Sequence, residues 1–432
     1  GYSTNIRYSD ARLGTPSLVE VKSIDGEKTY RKISATYNDK NTPWAMTQVR
    51  QQIDNGREAV TDIEYDVLGN ITKKTLPKNI KGERMSYTYL YDRKYQMYPE
   101  RITDAFGYRS EMEDYDYRYG LPRIVRDING YTIQYHIDDI GRIDTVISPN
   151  EQSDGIPYTI SYEYNDKGTD YTNRYAITKH FDPQHPKDPI QTITHVDGLG
   201  RTYQVKKEAE IYGHGVKYIV SGNVKYDALG RTIETDHPSI CENSKIGEIV
   251  DFNDRWQSRT SYDAIDRPTQ QILPADNSSE SVVKTNYTIS DGRLKTTMIS
   301  ANGDSIHTYT NGAGQTVLTE RIDPSSNKVV PIQYYFDPIG QLDSLIDAGG
   351  NATRYTYDLA GRKLSISHPS TGLTTFKYDI AGNVLEKQTA NLQGVSSVKY
   401  DYEYNRLTKI SYPNHTENNF TYTYGGKNAT HN

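Results

Sequence analysis

The chain has 432 residues, only 34% of them hydrophobic, and a net charge of −6 with both signs interspersed. That length asks for two or three domains or one repetitive body, and the shortage of aliphatic residues argues against a deep oily core. No basic stripe points to nucleic acid or an anionic membrane, apolar runs such as Tyr218–Val220 are far too short to span a bilayer, and the single cysteine, Cys241, permits neither an intramolecular disulfide nor a cysteine-based zinc site. Tyrosine takes over the apolar role, with 39 of them against six Phe and two Trp. Its large ring, polar tip and preference for strands predict thin, partly wetted β-layers rather than disorder.

The first sixty residues are the least regular and read as an N-terminal part, 1–60, of one β-body that continues over 61–432. Within them "WAMTQVRQQIDNG" (Trp44–Gly56) fits a strand better than a short helix. At Tyr65 a unit begins that recurs down the chain, aromatic-Asp-x-x-Gly. It appears as Tyr65, Asp66 and Gly69; with an aliphatic first residue at Ile137, Asp138 and Gly141, followed by Arg142, and at Val196, Asp197 and Gly200, followed by Arg201; and again as Tyr226, Asp227, Gly230 and Arg231. Tyr262, Asp263 and Arg267 keep the frame with Asp266 in place of glycine. Phe336, Asp337 and Gly340 follow, then Tyr357, Asp358, Gly361 and Arg362, then Tyr378, Asp379 and Gly382. Tyr400–Arg406 keeps the flanks and loses the glycine. Asp at the first turn position hydrogen-bonds back to backbone two residues on, and Gly at the fourth accepts the positive φ that closes a hairpin with a bulge.

Turn signals near the C-terminal end start at residues 337, 347, 358, 369, 379 and 390, and earlier ones stand at Asp104, Asp116, Asp127 and Asp138. A turn every 10 or 11 residues leaves strands of about six or seven, the usual length. The fold class is therefore all-β, repetitive antiparallel strands and hairpins. Two architectures share this beat. Four such strands match a β-propeller blade; hairpins pairing edge to edge make one long spiralling sheet. The signature returns every second strand, which favours the spiralling sheet, with the propeller as the alternative. Pro183–Pro189 and Ser239–Lys245 read as inserted loops.

The search for chemistry finds little. "NGAGQT" at Asn311 lacks the Lys-Ser/Thr of a phosphate loop and reads as a turn. His214, between two glycines, reads as a hairpin tip, because no second ligand stands at metal spacing. Cys241 has no identifiable base and reads as an inert thiol. The repeat arginines could bind anions; pairing with a neighbouring turn's Asp and packing on tyrosine rings is the better reading. Tyrosine ladders could stack sugars, but cross-strand packing accounts for them more simply. Sequons at Asn286 and Asn414 are expected by chance in so Asn- and Thr-rich a chain. No cofactor and no metal is expected, and the catalytic set is empty.

"YDALGRTIETDHP", "YDLAGRKLSISHP" and "YDIAGNVLEKQ" resemble the YD repeats of Rhs-type proteins, and the run from Asp104 to Pro149 resembles the Rhs region in B components of bacterial ABC-type toxin complexes. The resemblance covers roughly Glu64 to Gly425. It implies a strip of β-sheet coiled as part of a cocoon-like shell around a C-terminal toxin or effector. The partners are then that enclosed polypeptide and the remaining shell segments, and the setting is secreted or on the bacterial cell surface. Related repeats in teneurins imply the alternative, a cell-surface adhesin or carbohydrate-binding module meeting glycans. The family's self-cleaving core uses aspartates near the chain's end. "FDPIG" at Phe336 is similar, but the second Asp-Pro segment is not found, so no catalytic residue is carried over. A start on Gly rather than Met reads as a fragment or processed product.

Overall fold

The structure is a computed structural model. It describes all residues except 1, 39–41, 166–173, 242–245, 251–256, 275–279, 395, 414 and 425–432; the sequon at Asn414 lies outside the described residues. Among the described residues the strands form two long antiparallel sheets, of 18 and 17 strands, rather than four-stranded blades. Helix is confined, among the described residues, to Pro149–Asp154 and the single 3₁₀ turns Ala390–Leu392 and Thr416–Asn418.

The chain divides into two compact units. The first comprises Gly1–Glu113, Val125–Tyr131 and Pro331–Asn432. Its N-terminal run is an antiparallel meander: Tyr2–Asp10, Thr15–Ser23, Thr29–Tyr37, Met46–Gln52, Glu58–Tyr65, Ile71–Lys78, Arg84–Tyr91 and Pro99–Asp104, each paired with the next. Met46–Gln52 is the strand expected within Trp44–Gly56. Its C-terminal run repeats the pattern with Leu342–Ile346, Ala352–Tyr357, Lys363–His368, Gly372–Tyr378, Val384–Gln388, Val398–Glu403 and Arg406–Ser411.

Strand alternation gives this C-terminal run two unlike faces. Tyr355 lies opposite Ile366, and Tyr400 opposite Ile410, on a half-buried face. Thr356 opposite Ser365, and Asp401 opposite Lys409, lie on the other. A period of two puts every second side chain on one face, so the tyrosines of the motif all fall together.

The second unit comprises Asp114–Ile124 and Thr132–Val330. One run goes from Thr132–Ile137 through Ile143–Ile147, Ile160–Asn165, Arg174–His180, Ile190–Val196 and Thr202–Ile211 to Gly215–Ser221. The other goes from Val224–Tyr226 and Thr232–Asp236 through Gln257–Tyr262 to Thr316–Ile322. Pro183–Pro189 is irregular, as expected. The loop reading of Ser239–Lys245 needs correction in its first part. Ser239–Cys241 is a short strand on the edge of Gly215–Ser221, with Ile240 opposite Ile219; the backbone donors of that edge recruit it although only one of its three residues is aliphatic. Residues 242–245 lie outside the described residues.

Buried apolar side chains are few among the described residues: Val21, Ala45, Ile53, Met85, Tyr115, Ile137, Ile177, Ile193 and Val220. The layers are thin, and much of what holds them is polar.

Candidate functional site: the repeat turn and a seam of turn tips

Each repeat turn is built around one carboxylate. In the turn after Tyr357, the Asp358 N–H donates to the Arg362 carbonyl at 3.0 Å, and the Gly361 N–H donates back to the Asp358 carbonyl at 3.0 Å. Gly361 takes φ 86°. Asp358 Oδ1 accepts the N–H groups of Ala360 and Arg362, both at 2.9 Å, and Oδ2 accepts Arg362 Nε at 2.6 Å. The register shifts between Thr356 and Tyr357, the bulge that the extra turn residue demands. Asp138, Asp197, Asp227 and Asp263 repeat every one of these side-chain bonds with Arg142, Arg201, Arg231 and Arg267. Asp66 and Asp379 pair instead with Asn70 and Asn383, and the Asp337 turn closes on Gln341. Asp266 adopts φ 64° where glycine usually stands, a conformation that Asp tolerates better than most residues.

These bonds favour the ionised carboxylate. At Asp227 and Asp263 the backbone N–H of the following arginine, with its side chain, holds the carboxyl below its usual range. At Asp66, Asp138 and Asp197 burial pushes upward, and the same kinds of donor outweigh it.

Successive turns are tied together by the motif's tyrosine. Tyr378 donates its hydroxyl to the Lys363 carbonyl at 2.9 Å, just past the preceding turn, and Arg362 of that turn lies 5.0 Å from the Tyr378 ring centroid. Tyr226 does the same to Thr202 beneath Arg201, and Tyr262 to Thr232 beneath Arg231. Tyr357 reaches Leu342, Tyr65 reaches Met46, and Tyr164 reaches Ile143 beneath Arg142. The arginines thus pair with their own turn's Asp, not chiefly with a neighbour's. Arg231 also reaches Asp266, and Arg362 the Asp379 carbonyl, in the following turn. With hydroxyls donated to carbonyls and one ring face under a guanidinium, these tyrosines are not open platforms for sugars.

In the first unit, turn tips of the two runs interlock. The Leu359 N–H donates to the Ile53 carbonyl at 3.0 Å. The Ile80 N–H donates to Asp379 Oδ2 at 3.2 Å, and Asn79 Nδ2 to the Tyr404 carbonyl at 2.9 Å, across 299 and 325 residues of sequence. Glu83 accepts the Tyr404 N–H at 2.8 Å, which holds its carboxyl below the usual range. Arg406 donates to Asp104 Oδ2 at 2.6 Å and lies 4.1 Å from the Phe106 ring centroid. A cleft of about 600 Å³ runs beside this seam, with Ile80, Leu364, Phe376 and Leu385 among its apolar walls and Arg57 and Lys78 among its cations. Its carboxylates are already committed, Asp54 to Arg57 and Asp358 to Arg362.

Some organising residues lack the full aromatic-Asp-x-x-Gly signature and escape motif reading. Asp92 is fully buried and accepts the N–H groups of Lys94, Tyr95, Met97 and Tyr98, with Gln96 supplying the positive φ. Burial raises its pKa, but the backbone donors, led by Tyr95, Tyr98 and Met97, prevail and bring it to about 2. Asn79 and Ser300 begin turns of the same backbone pattern, closed by Gly82 and Gly303. The Tyr91-Asp92 pair and the Asn-x-x-Gly spacing at Asn79 were the signals available. Asn311 is such a turn too, its Oδ1 accepting the N–H groups of Ala313 and Gln315, and His214 stands at a hairpin tip. Among the described residues no group of His, Cys, Asp and Glu has metal-binding geometry, and no helix is long and apolar enough to cross a membrane.

Asp-centred hairpin turns, each locked by the next unit's tyrosine, define a β-repeat protein. Residues 336–372 match the family RHS Repeat. No curated protein sequence matches the chain. Among solved structures it is similar to TcdB2-TccC3, with a TM-score of 0.72 at 15% identity over 97% of this chain and 27% of that one. It is also similar to TcdB2-TccC3 without its hypervariable C-terminal region, at TM-score 0.73, 14% identity and coverage of 99% and 30%. A Tc holotoxin pore from Photorhabdus luminescens, carrying a TccC3 mutation, aligns at 0.70 and 13% over 97% and 29%. The chain spans less than a third of the length of these structures. Residues 336–372 thus carry an RHS repeat, and nearly the whole chain has a fold similar to that of the TcdB2-TccC3 structures.

Proposed function

We propose that the chain is a structural, non-enzymatic section of an Rhs-type shell that encloses a toxin or effector polypeptide carried by the longer, secreted bacterial protein. The observation that carries this reading is the fold match over nearly the whole chain to the TcdB2-TccC3 structures. The physical chemistry agrees with it. Continuous antiparallel pairing satisfies backbone donors and acceptors within the wall, so the wall extends without a large core. The polar groups of the repeat serve the turns themselves: Asp binds backbone and Arg, Tyr binds the preceding turn. The partners are then the enclosed polypeptide and the other shell segments.

The test is protease protection in the full-length protein. The enclosed segment is expected to resist protease under conditions that digest the same segment as a free peptide. Equal digestion with the shell intact would overturn containment.

A further inference from the structure

The second unit holds a buried polar cluster that the repeat does not explain. His195, on the strand Ile190–Val196, is fully buried, and among the described residues neither ring nitrogen has a hydrogen-bond partner. Its neighbours across the sheet are Tyr175 on one side and Gln204 on the other. Its ring lies 5.3 Å from that of Tyr175 and 6.0 Å from that of Tyr203. Lys206, two residues beyond Gln204 on the same strand face, is fully buried as well. Two cationisable groups therefore lie buried on one side of the sheet.

A short segment without strand pairing, Ile246–Val250, is fastened to this cluster by side chains. Gln204 holds Val250 at both backbone groups, accepting its N–H at 3.0 Å and donating to its carbonyl at 2.8 Å. Asn223 donates to the same carbonyl at 3.2 Å, and Lys206 Nζ to the Glu248 carbonyl at 2.5 Å. Gly247 lies against the Tyr175 ring so closely that an added Cβ would stand 2.8 Å from the hydroxyl oxygen.

We propose that Ile246–Val250 is an acid-released clasp, with His195 as the group whose protonation releases it. Neutral imidazole tolerates the pocket. An imidazolium there would face the Lys206 ammonium, with two N–H donors and no acceptor, so it needs water, and water enters when the clasp lifts. Among the described residues, the other groups around it do not supply a counter-charge. From the strand Arg174–His180 comes the Tyr175 phenol, and from Thr202–Ile211 come Tyr203, Gln204 and Lys206. Asp236 is reached through Asn223, which donates to its Oδ2 at 2.9 Å. The Cys241 thiol and Glu248 act on Lys206, and the Glu248 side chain belongs to an exposed residue. Burial first, and then Lys206, lower the His195 pKa from 6.5 to about 4. The sign follows from linkage: the closed state binds the proton more weakly than the open one, so closure is full above pH 6.5 and weakens as pH falls toward 4.

Hydrogen exchange at the Val250 amide, read as a protection factor in the intact chain, tests this. Those two pKa values give an expected fall of about twentyfold between pH 7 and pH 5. His195→Phe, which keeps a ring and cannot take a proton, is expected to show no such fall. An unchanged protection factor in the unaltered protein, or the same fall in His195→Phe, overturns the proposal. Should His195→Phe not fold by circular dichroism, the His195 ring is titrated by NMR in the unaltered protein. A midpoint well below 6.5 supports the clasp; an ordinary solvent-like midpoint overturns it.

Discussion

One carboxylate and one glycine fix the shape of each repeat turn, and the two residues answer different tests. Gly361 has φ 86°, and a Cβ there would meet only the flexible ends of Gln341, at 3.0 Å, and Arg31, at 4.0 Å. Gly361→Ala is expected to cost about 1–2 kcal/mol, the strain of an L-residue in left-handed geometry. Gly141 has φ 88°, but its Cβ would fall 2.5 Å from the Tyr119 ring, which its hydroxyl tethers to the Asp139 carbonyl. Gly141→Ala is expected to cost roughly 1–3 kcal/mol more than Gly361→Ala, the scale of overpacking. Thermal denaturation of the two variants compares them, and equal shifts would contradict the tethered ring. Removing the Tyr378 hydroxyl in Tyr378→Phe should cost about 0.5–1.5 kcal/mol, an ordinary hydrogen bond, while the ring stays under Arg362. The turn carboxylates also set an acid limit. At Asp66, Asp138, Asp197, Asp227 and Asp263 the folded pKa lies below 3.8, and at Asp92 it is about 2, so the stability these carboxylates contribute is complete only well above pH 3.8 and is lost as pH falls toward 2. Acid titration of circular dichroism reads this, and Asp92→Asn is expected to lower stability at pH 7 and to make the loss between pH 4 and pH 2 shallower.

At the scale of hairpins, the strands and the turns were legible because both are local. The positive φ at the fourth position, the Asp at the first and the period of two lie within about ten residues of one another. The seam was not legible, because it joins tips 299 to 325 residues apart whose residues are each explained locally. Asp104 is a turn aspartate as expected, its Oδ1 accepting the N–H groups of Phe106 and Tyr108, but its Oδ2 also meets Arg406, from the unit that lacks the glycine. That hairpin closes on the tight pair Tyr404-Asn405, with Tyr404 at φ 50°, and its tip is spent on contacts with Asn79, Glu83 and Phe106. Ser239–Cys241 was missed for a related reason: an open strand edge, not its own composition, makes it a strand. The seam's ion pair should behave unlike a surface one. Asp104 and Arg406 side chains are 9% and 22% exposed, against 71% and 33% for Lys377 and Glu386. Asp104→Asn is expected to cost about 1.5–3 kcal/mol, as for a charge-assisted bond with a shielded partner. Glu386→Gln should cost no more than about 1 kcal/mol. Chemical denaturation of both, with Arg406→Met completing a double-mutant cycle for the first, measures the difference.

At the scale of the whole chain, order of assembly follows from sequence separation. Most hairpins close over a turn of a few residues, and each tyrosine tie joins neighbouring units some 15 to 30 residues apart. The first unit, however, is discontinuous, built from Gly1–Glu113, Val125–Tyr131 and Pro331–Asn432. Its seam must close a loop of about 300 residues, which costs about 2 kcal/mol more in chain entropy than closing one of 20. The neutral seam bonds are each of the order of 1 kcal/mol and do not singly offset that excess, and only the Asp104–Arg406 pair is of its size. They act when several form together on hairpins already in place. Pulse-labelled hydrogen exchange during refolding separates the two classes of amide within one unit. The Arg362 N–H, bonded to Asp358 four residues away, is expected to gain protection early. The Leu359 N–H, three residues from it and bonded to the Ile53 carbonyl, is expected to gain it later, together with the Ile80 N–H on Asp379. Asp104→Asn should delay the late group and leave the early one unchanged. If the Leu359 and Arg362 amides become protected in the same phase, the seam forms with the hairpins, and assembly by local units followed by closure is wrong for this chain.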